Sequence, residues 1–106
     1  MPRRAWNNLS VRLTTDQIQL IHSVVREFAG NEAKAWLFGS RLDETRRGGD
    51  VDLLVQSSPE IGIVQRARIK NRLESRLGLP VDVLSATQEG VLAPFARIAI
   101  AQGVRL

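Results

Sequence analysis

Residues 35–56 read AWLFGSRLDETRRGGDVDLLVQ, and the interpretation of this stretch decides the fold. It opens on a short apolar run that stops at Gly39, a length and setting that suit a buried strand followed by a tight turn. Residues 50–56 read as a second strand. A side-chain period of two puts Asp50, Asp52 and Leu54 on one face, while Val51, Leu53 and Val55 project from the other into apolar packing.

Upstream, Thr14 or Thr15 caps a helix to residue 29, with Asp16 in its first turn and Ile18, Ile21, Val25 and Phe28 on one face. Gly30 and Asn31 end it. Downstream, Ser58, Pro59 and Glu60 supply a cap, a proline in the first turn and an acid at the positive end of the dipole, which predicts a helix from there to residue 77. Ile69, Leu73 and Leu77 recur every four residues; Arg66, Arg68, Arg72 and Arg76 populate the more polar faces, read as a solvated face with Arg72 and Arg76 set against Glu74 and, as the alternative, an interaction surface, and Gly78 is the stop. Residues 80–84 fit a third strand that begins at Pro80. Residues 88–102 read as a helix interrupted near Pro94, and Gly103 releases a tail that pairs as an edge strand. Helices alternate with strands, which predicts an α/β layer. No repeat or linker-like tract breaks the chain, so the expectation is a tail over residues 1–12 and one domain over residues 13–106.

The composition agrees with one core. The chain has 106 residues, 43% of them apolar and 25% charged, which argues against disordered, collagen-like and coiled-coil classes. Cysteine is absent and His22 is the single histidine, so any metal must be held by oxygens. No apolar run approaches the roughly 18 residues of a membrane span, and the expectation is a soluble, unsecreted, cytoplasmic protein. The net charge is +4 and most of the 15 bases are Arg, the side chain suited to forked contacts with phosphate or carboxylate. A polyanionic ligand or an acidic partner is favoured over a neutral one, although such a charge also serves solubility.

Asp50 and Asp52 carry the most chemistry. Two carboxylates on one face at the start of a buried strand are costly unless a cation compensates them. Mg²⁺ takes oxygen ligands, binds through one or two carboxylates and completes its shell with water and substrate phosphate. Asp82 repeats the pattern between Val81 and Val83, so a third strand lying beside the second would bring three acids together. Acids around a pair of ions serve in-line displacement at phosphorus. Gly39 permits close backbone approach to a phosphate, Ser40 offers a hydroxyl at the start of a short helix over residues 40–45, and Arg41 meets the same anion. The plainer alternatives are an ordinary Gly-Ser turn and acids paired with Arg46 and Arg47. His22 and Trp36 read as structural residues, and Trp6 as a tail aromatic packed on its own domain.

The string LFGSRLDETRRGGDVDLLV resembles the signature of the DNA polymerase β-type nucleotidyltransferase superfamily, and VDVLS resembles its third-acid strand. The short length is similar to that of its minimal branch, proteins often encoded beside a helical HEPN partner as antitoxin and toxin. The resemblance spans residues 14–104 and implies an α+β fold with a small mixed sheet flanked by helices. It implies that Gly39 and Ser40 bind the terminal phosphates of ATP and that Asp50 and Asp52 hold Mg²⁺. Asp82 would complete the metal site and help activate the acceptor hydroxyl. Gly49 departs from the family, which commonly carries Ser there.

The function so implied is transfer of AMP from ATP to a hydroxyl with release of pyrophosphate, the acceptor being a tyrosine of a cognate HEPN toxin. The chain contains no Tyr, so such an acceptor comes from elsewhere, and a hetero-oligomer with the toxin is expected. No direct nucleic-acid contact and no membrane contact is expected. The alternative is a non-catalytic antitoxin that occludes its partner.

Overall fold

A computed structural model of the chain describes residues 13–38, 51–88 and 93–106. The first helix, α1 (Thr15–Ala29), starts where two side chains satisfy its free amides. The Thr14 hydroxyl accepts the Gln17 N–H at 3.1 Å and Gln17 Oε1 accepts the Thr14 N–H at 2.8 Å. It stops at Gly30, whose φ of 101° favours glycine and whose N–H donates to the Arg26 carbonyl.

The strands β1 (Lys34–Phe38) and β2 (Val51–Ser57) pair antiparallel, with Phe38 opposite Asp52 and Lys34 opposite Gln56. Helix α2 (Ile63–Leu77) then carries the chain over to β3 (Val81–Thr87), which runs parallel to β2. Helix α3 (Pro94–Gln102) leads to β4 (Val104–Arg105), antiparallel to β1. The described sheet has the order β3-β2-β1-β4 and is mixed, as expected.

Its two faces are covered differently. Ala35, Leu37, Val51, Leu53, Val55 and Val81 meet Ile21, Val24 and Val25 of α1 and Ile69 and Leu73 of α2 in the larger core cluster. On the opposite face Leu54 and Ala86, flanked by Trp36, Phe38 and Leu84, pack against Ala96 and Ala99 of α3. Small residues let this helix lie close to the sheet. At Gly103, just past the end of this helix, a Cβ would strike the Ala99 carbonyl oxygen and come within 2.8 Å of the Leu37 carbonyl oxygen.

Three expectations are corrected. The second helix begins at Ile63 with Gly62 as its cap, and Ser58, Pro59 and Glu60 stay in the connection. A parallel crossover must first carry the chain from the sheet to the helix layer, and Ile61 packs against the core on the way. Ser57 Oγ donates to the Pro59 carbonyl at 2.9 Å, and Glu60 accepts the Ser85 hydroxyl at 2.8 Å instead of sitting in a first turn. The third strand runs on to Thr87, because all seven of its residues find partners in β2. Of the helix expected over residues 88–102, Gln88 is not helical, residues 89–92 lie outside the described residues, and the described helix starts at Pro94, where a missing N–H costs nothing. Among the described residues no helix is long and apolar enough to cross a membrane.

Candidate active site

Asp52 and Asp82 are the second residues of parallel neighbours, and the register pairs them directly. Their Cα atoms are partners on adjacent strands, whose spacing is about 4.8 Å, so the two side chains share one face. It is the face that carries Leu54 and Leu84 one pleat further on, beside the cluster under α3. Asp52 is half-buried and the Asp82 side chain is 61% exposed. Hard oxygen donors in contact with water fit a cation that keeps part of its hydration shell, as Mg²⁺ does, and do not suit a dry, soft-ligand site.

Gly39, Ser40, Arg41 and Asp50 lie outside the described residues, as do the short helix expected over residues 40–45, Arg46, Arg47, Gly49 and Trp6. Among the described residues no group of three or more His, Asp or Glu forms a metal cage. The described residues on either side of 39–50 are Phe38, opposite Asp52, and Val51, opposite Val81. Both therefore stand at the end of the sheet that carries Asp52 and Asp82.

A further cation stands beside the pair. Lys70 Nζ is 3.9 Å from Asp82 Oδ1, 3.0 Å from Glu74 Oε2 and 2.7 Å from the Val81 carbonyl oxygen, to which it donates. Glu74 Oε2 also accepts the Val81 N–H at 2.9 Å. That backbone hydrogen bond and then the Lys70 ammonium hold the Glu74 carboxyl below its ordinary range, against a smaller opposing effect of desolvation. The sequence reading missed Lys70 and set Glu74 against the helix arginines. Arg72 instead reaches α1, with Nη1 3.0 Å from Glu27 Oε1 and the guanidinium over the Phe28 ring. The available signal was the i,i+4 spacing of Lys70 and Glu74, which looks the same on any solvated helix.

His22 is half-buried on α1, which covers the face opposite the acids. Trp36 donates its indole N–H to Gln56 Oε1 at 3.1 Å and packs at the margin of the α3 cluster. Trp36 thus serves the scaffold.

Residues 19–106 match the family model described as polymerase beta, nucleotidyltransferase. The chain belongs to this nucleotidyltransferase family. Its solved relatives in fold include a toxin–antitoxin complex with AMP-PNP (TM-score 0.68, 21% identity, 88% of this chain and 72% of that chain covered). Another is a mutant of the MntA-HpeT toxin–antitoxin pair (TM-score 0.65, 18% identity, 84% and 70% covered). A third is a tri-AMPylated Shewanella oneidensis HEPN toxin in complex with MNT antitoxin (TM-score 0.60, 20% identity, 82% and 69% covered). At these identities the likeness is one of fold. No curated protein matches the nucleotidyltransferase chain.

Proposed function

We propose that this nucleotidyltransferase moves AMP from ATP to a tyrosine hydroxyl of a HEPN-family toxin in the cytoplasm, and so acts as that toxin's antitoxin. The observation that carries the proposal is the register of Asp52 with Asp82 on one water-facing end of a nucleotidyltransferase sheet. In this proposal Asp50, Asp52 and Asp82 hold divalent metal, and Gly39, Ser40 and Arg41 bind the β- and γ-phosphates. Bound Mg²⁺ supplies positive charge against the triphosphate. The acceptor oxygen bonds to the α-phosphorus, the bond from that phosphorus to the bridging oxygen breaks, and pyrophosphate leaves. The exposed Asp82 carboxylate takes up the proton of the acceptor hydroxyl.

Support for the acceptor class comes from relatives in fold, one of which is in complex with a tri-AMPylated HEPN toxin and another with AMP-PNP. The absence of Tyr from these 106 residues places a tyrosyl acceptor outside them. The test is incubation of the chain with α-labelled ATP, Mg²⁺ and the HEPN protein encoded beside it. Label should appear on the partner and vanish with Asp52→Ala. A tight but unlabelled complex would replace the proposal with occlusion of the toxin surface.

A further inference from the structure

β3 is an outer strand of the described sheet, and the backbone of its first residue is gripped by side chains of α2. The Val51 N–H donates to the Pro80 carbonyl at 2.9 Å, which turns that carbonyl toward β2. By the alternation of an extended chain, the N–H and C=O of Val81 then face away from β2. There Glu74 takes the N–H and Lys70 the carbonyl, and the two side chains close on each other. The next residue is Asp82, within 3.9 Å of the same ammonium.

We propose that Lys70 and Glu74 are positioning residues that clamp the start of β3 and so aim Asp82 toward the metal shared with Asp52. The proposal rests on the metal-ligand role given above to the two acids. Asp82 needs such support for two reasons. It lies near the end of an outer strand, where hydrogen-bonded pairing opens most readily, and it faces a like charge one strand away. The clamp adds no net charge, because the Glu74 carboxylate balances the Lys70 ammonium that stands 3.9 Å from Asp82.

The test uses the whole chain and Mn²⁺ as the probe, with binding followed by electron paramagnetic resonance. The double variant Lys70→Met/Glu74→Gln leaves the net charge unchanged, so a change in affinity reports geometry. Loss of partners that orient metal ligands typically weakens binding about 10- to 100-fold, and a loss of about 10-fold is expected here in folded protein. Lys70→Arg, which keeps a charged donor, should bind within about threefold of the parent. A purely structural clamp would lower the melting temperature and leave Mn²⁺ affinity intact, which would overturn the proposal. Should the double variant not fold, Lys70→Met alone keeps the Glu74–Val81 bond; losing the ammonium beside Asp82 by itself favours Mn²⁺, so weaker binding supports the proposal and unchanged or tighter binding overturns it. Asp82→Asn separates the two levels. If it abolishes Mn²⁺ binding while the clamp variants do not, the clamp alone falls; if it leaves binding intact, both the clamp and the metal site fall.

Discussion

On one face of the sheet Val51, Leu53, Val55 and Val81 are fully buried under α1 and α2. On the other face Leu54 is fully buried under α3, yet Asp52, two residues earlier, is half-buried and Asp82 is exposed. Among the described residues two helices of 15 residues seal the first face, whereas one helix of nine residues covers the second. The difference separates two tasks within a single strand. Val51, Leu53 and Val55 bury apolar area and stabilise the fold, while Asp52 stays near water, where adjacent carboxylates avoid the full cost of burying charge.

Substitutions on the two faces should therefore have opposite signatures. Asp82→Asn is expected to lower transferase activity by more than about 100-fold, since even partners behind a metal ligand are worth about 10- to 100-fold. Its effect on urea unfolding should stay within about 0.5 kcal/mol, as for other exposed positions. A large loss of stability with retained activity would break the contrast. Leu53→Ala should do the reverse, costing about 2–5 kcal/mol in urea denaturation while the folded fraction keeps its rate.

The covering helices can be probed more gently. Thr14→Ala removes the hydroxyl that caps α1 and should cost about 1 kcal/mol, read from the same urea titration. The smallest effect is expected at Glu74, where the Val81 N–H and the Lys70 ammonium favour the carboxylate in the folded state. A lowered folded-state pKa gives stability that is full above the ordinary value of 4.5 and lost as pH falls through the lowered one. Glu74→Gln should therefore flatten the acid side of the stability profile below that pH. Parallel acid limbs in the two proteins would mean that the clamp is not formed in solution.

Local pattern and tertiary placement contributed different parts. The alternation of β2, a threonine cap at residue 14 or 15, the Gly30 and Gly78 stops and the paired tail after Gly103 were all legible, because each depends on neighbours within a few residues; the structure chose Thr14. The start of α2 was not, since a Ser-Pro-Glu cap signal is local and a crossover between parallel strands is not.

The sequence by itself determined that Asp52 shares a face with Leu54, because a strand's side chains alternate whatever lies beside it. Only the tertiary structure decided that Asp82 stands next to Asp52, since a slip of one residue in the pairing of β3 would have turned it to the opposite face. The same holds for Lys70 and Glu74. Their spacing is written in the chain, but the backbone they grip is brought to them by the packing of α2 against β3.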